Sequence, residues 1–234
     1  MFTRIAAKVL TVVPEKYAVM VSKGIVNLFI NRYANIHVKG IEQLLNAQTP
    51  TIFVCNHLSN SDGLILSKTL KNIDPTFVAG VKLSNNNVTN IGMHVVKTTN
   101  IKPNSADLDG IRRVVKLVKE GESLLIFPEG TRSRAGSLIE AKKGILLIAR
   151  MTGVPIVPIG IHGTEKLLPI SKDGNMSSEK FQHADVYVNI GDQFDLPKKE
   201  KGQDKREYED NTTDFLMRKI AELIPVDYQG VYKL

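Results

Sequence analysis

A single cysteine, Cys55, stands in 234 residues, so no internal disulfide can form. That fits a reducing compartment. A chain of this length buries enough surface to fold without a disulfide or a metal staple. No uncharged apolar stretch reaches the roughly 20 residues of a spanning helix, which argues against an integral multi-span protein. Lys8 cuts the first apolar run short and no A-x-A pattern follows it, so the N-terminus does not read as a signal peptide. There is no internal repeat. There is no G-x-S-x-G, which excludes a nucleophile elbow. Nucleic-acid binding is excluded as well, because the basic residues are interleaved with aliphatics and no nucleic-acid motif is found.

What is present is an uneven charge. The formal net charge is +7, from 31 Lys plus Arg against 24 Asp plus Glu. The first 40 residues hold Arg4, Lys8, Lys16, Lys23, Arg32 and Lys39 against only Glu15. A local basic excess points to an anionic partner. Two helices are expected here, over 2–12 and 15–33, split near Pro14. In the second, Lys16, Lys23, Asn27 and Asn31 form a narrow polar stripe, and aliphatics cover the rest. Such a helix packs on the domain core, sinks into an anionic membrane interface, or does both. Residues 1–35 are therefore read as a membrane-interface helix pair, and 36–234 as one α/β domain.

Short apolar runs then alternate with helical stretches. Strands are expected at 36–39, 51–55, 76–81, 93–97, 123–127, 155–161 and 185–190, and helices at 62–72, 106–120, 139–151 and 209–223. Ser105 is placed to cap the helix of 106–120, and Asp62 to open the helix of 62–72. The segment 163–182 reads as a loop-rich excursion and 197–210 as a charged, solvated connector. The alternation predicts a single α/β domain with a central, largely parallel mixed sheet flanked by helices.

In such sheets, sites form where strand C-terminal ends meet the loops that follow. Two polar loops qualify: Asn56-His57-Leu58-Ser59-Asn60-Ser61-Asp62 and Pro128-Glu129-Gly130-Thr131-Arg132-Ser133-Arg134. In the first, His57 and Asp62 are spaced for an Asp–His hydrogen bond that fixes the tautomer and stabilises an imidazolium. The bland reading is a structural histidine with Asp62 as an N-cap. With no serine elbow, and with Cys55 read as a buried strand residue, the pair would activate a substrate hydroxyl directly. In the second loop, Gly130 permits close backbone approach. Arg132 can hold a phosphate bidentately, with hydroxyl donors from Thr131 and Ser133. Glu129 would repel a phosphate, so it is expected to order the arginine or contact a substrate hydroxyl.

Phe127-Pro128-Glu129-Gly130-Thr131-Arg132-Ser133 resembles the signature of the glycerolipid acyltransferases, within them the 1-acyl-sn-glycerol-3-phosphate (lysophosphatidate) acyltransferases. Asn56-His57 with Asp62 resembles that family's first motif, and Ala141–Gly144, Val154–Ile159 and Gly163-Thr164 its later segments. The resemblance covers about residues 36–170. It implies His57 as general base oriented by Asp62. Glu129, Gly130, Thr131, Arg132 and Lys82 would bind the acceptor, Lys82 and Arg132 on its phosphate. The implied acyl donor is a thioester of acyl carrier protein or coenzyme A, and the acceptor a lysophospholipid. The implied setting is the cytoplasmic membrane face, with peripheral attachment. No metal or bound cofactor is needed. The stretch from Met93 to Lys102 holds no arginine where the family's second motif has one, which leaves the acceptor open. Glycerol 3-phosphate or another lysolipid is the alternative acceptor, and acyl thioester hydrolysis the alternative reaction. His94 is left open between a structural and a site residue; His37, His162 and His183 are read as having no role.

Overall fold

The computed structural model describes residues 15–80, 95–102, 107–171 and 178–234. The expected helix of 2–12, together with Lys82, His94 and Ser105, lies outside them.

Seven strands form one sheet: β1 (Ala34–Lys39), β2 (Ile52–Cys55), β3 (Thr76–Gly80), β4 (Thr98–Ile101), β5 (Leu124–Ile126), β6 (Ile156–His162) and β7 (Ala184–Ile190). Their order is β1-β7-β6-β2-β5-β3-β4. Every pairing is parallel except β6 with β7. The sheet is thus mixed and largely parallel, as expected. Its central strands are buried on both faces, which is why they read as unbroken apolar runs. In β2, Ile52 and Val54 join one core cluster while Phe53 and Cys55 join the other.

The described helices are α1 (Glu15–Tyr33), α2 (Ile41–Asn46), α3 (Asp62–Thr69), α4 (Leu108–Lys119), α5 (Gly144–Thr152), α6 (Thr164–Leu167) and α7 (Lys205–Ala221). Helices α4, α5 and α7 supply Val114, Leu146, Leu216 and Ile220 to the first cluster. Helices α1 and α3 supply Val26, Ile30, Ile65 and Leu66 to the second. Burying each such side chain contributes about 1.5–3 kcal/mol. Close packing leaves Gly160 of β6 no room for a side chain: a Cβ there would lie 2.7 Å from both Leu223 and Ile224.

Helix α1 buries Ser22, Val26 and Ile30, one row at four-residue spacing. Tyr17, Met20, Val21 and Leu28 stay exposed, Met20 at 64% and Leu28 at 68%. None of the described helices is long and apolar enough to cross a membrane.

Three expectations are corrected. The strand placed at 93–97 is β4, at Thr98–Ile101. It is a half-exposed edge strand, so its pattern is β-branched rather than apolar, and Val96 packs into the core instead. The cap of α4 is Asp107, whose Oδ1 accepts from Gly110 N at 3.0 Å. The connector ends at Asp204, which accepts from Arg206 N and Glu207 N and starts α7 at Lys205. Charge disguised that start, since the only large apolar group in the helix's first turn is Tyr208, which is buried.

Candidate active site

Strands β2 and β5 are parallel neighbours, with Val54 opposite Ile126, so their following loops leave the same end of the sheet. Asn56 terminates β2. Its buried amide accepts from Ile161 N and donates to Ile161 O, both at 2.8 Å, and so ties the loop to β6. The next residue joins the two polar loops through its backbone. His57 N donates to Glu129 Oε1 at 2.7 Å, and Ser133 N donates to His57 O at 2.7 Å.

The His57 ring is held from two directions. Nδ1 lies 2.7 Å from Asp62 Oδ2, and Phe127 stacks on the ring at 4.1 Å between centroids with a 15° tilt. The same Oδ2 accepts from Leu58 N at 2.7 Å and Ser59 N at 2.8 Å. Asp62 is therefore an acceptor facing back along its own loop rather than a cap for α3, and it is fully buried. With Asp62 accepting, Nδ1 carries the proton and Nε2 keeps its lone pair. The His57 side chain is 20% exposed, enough for a reactant to meet it. A neutral imidazole with a fixed tautomer and a buried carboxylate behind it can take one proton.

Glu129 sits elsewhere than expected. It has no exposed surface, and its second oxygen accepts from Ile139 N at 3.1 Å. Both oxygens are thus on backbone amides, holding the His57 loop against the chain beyond Arg132, and neither contacts the arginine. Burial pushes its carboxyl up from 4.5 to about 8, against the pull of the two amides and with help from Asp62 nearby. A raised acid pKa means folding takes up a proton, so this group's contribution is full below about pH 4.5 and lost as pH rises toward 8. In Glu129→Gln one backbone amide loses its acceptor, at a cost of about 1–3 kcal/mol. Denaturant titrations at several pH values are expected to show that deficit shrinking from pH 5 to pH 8, because only the wild type loses stability across that range. A constant deficit would mean Glu129 is ionised throughout.

Gly130 and Thr131 are exposed, and Gly130 adopts φ +69°, a left-handed turn conformation that favours glycine. Arg132 is mostly buried, its side chain 14% exposed. Its Nη1 donates to Glu179 Oε1 at 2.9 Å. Glu179 lies in the excursion before β7, and its other oxygen accepts from Asn60 Nδ2 at 2.7 Å. Phe127 is the first residue of the signature, but its stacking role is not assigned from sequence, although an aromatic at a strand end beside a histidine loop is a usable signal; Glu179 has no such signal.

Cys55 is fully buried, and burial together with Asp62 and Glu129 holds its thiol well above the ordinary range. It is a core residue. The other described histidines lie apart from His57. His37 and His162 stack on opposite sides of Tyr187, their cross-strand partner, each at 4.6 Å. His183 packs on Tyr33.

A model of the acyltransferase family matches residues 35–162, a span that takes in both loops. A chloroplastic 1-acyl-sn-glycerol-3-phosphate acyltransferase of Brassica napus is 34% identical over 179 residues, covering 75% of this chain and 50% of that protein. Its counterpart in Arabidopsis thaliana is also 34% identical, covering 75% of this chain and 48% of that one. The chain thus spans about half the length of these plant relatives. The crystal structure of the 1-acyl-sn-glycerophosphate acyltransferase from Thermotoga maritima superposes with a TM-score of 0.60 at 25% identity, over 89% of this chain and 81% of that one. With the matched span covering more than half of its residues, the chain belongs to the acyltransferase family.

Proposed function

We propose that this protein transfers a fatty acyl group from an acyl thioester, carried by acyl carrier protein or coenzyme A, to the free hydroxyl of 1-acyl-glycerol 3-phosphate, giving phosphatidate. The observation that carries this reading is the His57–Asp62 pair at 2.7 Å, on a loop stitched to the one bearing Arg132. His57 Nε2 takes the proton of the acceptor hydroxyl as its oxygen attacks the thioester carbonyl. Asp62 stabilises the imidazolium that results. The tetrahedral intermediate collapses with loss of the thiolate, which receives the proton from His57. The products are the ester and the free thiol. Arg132 holds the acceptor phosphate, joined by Lys82 and by the exposed Gly130–Thr131 turn. Glu129 serves by joining the loops and has no contact with the acceptor. The names of the plant and Thermotoga relatives support the same acceptor.

In this reading the residues before β1 form the membrane-facing segment, placing the enzyme peripherally on the cytoplasmic face of the membrane, with the domain from Ala34 onward, rather than from residue 36, as the catalytic domain. Exposed Tyr17, Met20, Val21 and Leu28 on α1, beside Lys23 and Arg32, support it. Met20→Glu with Leu28→Glu is expected to lower co-sedimentation with anionic vesicles by about tenfold or more, since each large apolar side chain kept from the interface forfeits about 1.5–3 kcal/mol. Unchanged sedimentation would remove α1 from the interface.

The test of the reaction is an acyl-transfer assay read by mass spectrometry, with the full chain, lysophosphatidate and each donor in turn. Phosphatidate formed with release of free thiol is the expected result. Donor loss without lipid product would identify a hydrolase. Transfer only to glycerol 3-phosphate or another lysolipid would replace the acceptor.

A further inference from the structure

Arg132 does not stand alone, and its partner comes from outside both motif loops. The side chain of Glu179 is 2% exposed. One oxygen takes Arg132 Nη1 and the other takes Asn60 Nδ2, so Glu179 bridges the arginine to the loop that carries His57. The segment behind it is anchored. Phe181 packs on Phe29 and Tyr33 of α1 at 5.6 and 6.1 Å, and Gln182 N donates to Leu167 O at 2.8 Å. Glu179 therefore sits at the end of a strap fastened to α1 on one side and α6 on the other.

The fork of an arginine offers five N–H donors, and only Nη1 is used by Glu179. A carboxylate gripping one corner fixes the plane of the guanidinium and leaves its other donors for an oxyanion. A long side chain without that grip spreads over several rotamers, and ordering it again weakens binding. We propose that Glu179 is a positioning residue for the acceptor: it orients Arg132 toward the acceptor phosphate and holds it in register with His57. This rests on the reading of Arg132 as the phosphate ligand. The relevant chemistry is an anionic phosphomonoester on the acceptor, so Glu179 acts on that substrate and leaves the thioester donor alone.

The test is steady-state acyl transfer with wild type, Glu179→Ala, Arg132→Ala and the double variant, varying acceptor and donor separately. Loss of an interaction with a charged group is worth roughly tenfold or more. Glu179→Ala is expected to raise the acceptor KM about tenfold, with the donor KM and kcat within about twofold of wild type. In the Arg132→Ala background the same change should add less than about twofold, because a residue acting through another has nothing left to act on. Glu179→Gln keeps an acceptor for Nη1 and should fall between wild type and Glu179→Ala. It also serves if the alanine variant does not fold, and a wild-type acceptor KM in Glu179→Gln would then overturn the proposal.

Equal effects of Glu179→Ala in the two backgrounds, or equal rises in both KM values, would reduce Glu179 to a structural residue. Arg132→Ala with a raised acceptor KM beside a silent Glu179→Ala would overturn the role of Glu179 alone. A wild-type acceptor KM in Arg132→Ala would remove the arginine from the phosphate, and the role of Glu179 with it.

Discussion

His57→Ala is expected to lower kcat by about 10² to 10⁴, the range a positioned general base supplies. The acceptor KM should stay within a few-fold, because the phosphate is assigned to Arg132 on the other loop. Folding should survive the change. The backbone N–H and C=O of His57 make the contacts to Glu129 and Ser133, and alanine keeps both. What is lost in packing is the stack on Phe127, worth about 0.5–1.5 kcal/mol. Thermal unfolding measured beside the kinetics separates the two effects. A folded His57→Ala enzyme that kept wild-type turnover would end the assignment of His57 as base.

Asp62→Asn should cost nearly as much activity with little loss of fold, and Asp62→Ala should cost both. The difference lies in what Oδ2 does. It accepts from His57 Nδ1 and from the amides of Leu58 and Ser59, all within 2.8 Å. Among the described residues Oδ1 is buried without a partner. Asparagine can place its oxygen where Oδ2 lies and its NH₂ where Oδ1 lies, so the loop keeps its acceptor while the charge goes. With no carboxylate to stabilise the imidazolium, kcat should fall by about 10² to 10⁴. Alanine leaves two buried N–H groups unsatisfied at about 1–3 kcal/mol each. Unfolding midpoints and kcat for the two variants together check this. Asn and Ala variants equally active and equally unstable would make Asp62 a loop anchor only.

Much of this architecture was legible in the chain. The central strands were readable because burial on both faces leaves no polar residue to interrupt Ile52–Cys55 or Leu124–Ile126. Helix α1 was readable over its whole length because Pro14 punctuates it. The edge strand β4 was misplaced, since an edge needs no apolar pattern. The start of α7 was hidden among charges, because Asp204 caps with the same side chain that makes a connector look solvated. His57, Asp62 and Arg132 were visible as types and spacings, their partners only in part.

The sequence by itself determined a mixed α/β domain with two polar loops following apolar strand runs, and it placed a histidine, an aspartate and an arginine on them. Those are local properties: hydrophobic periodicity sets the strands, and a short loop fixes the distance from His57 to Asp62. Only the tertiary structure decided that the loops meet at the His57 backbone, that Glu129 is consumed in joining them, and that Glu179 takes hold of Arg132 from 47 residues away. A hydrogen bond between distant segments leaves no period or spacing along the chain. It exists because the parallel pairing of β2 with β5 brings the two loops to one end of the sheet, and because the packing of α1 and α6 holds the strap beside it.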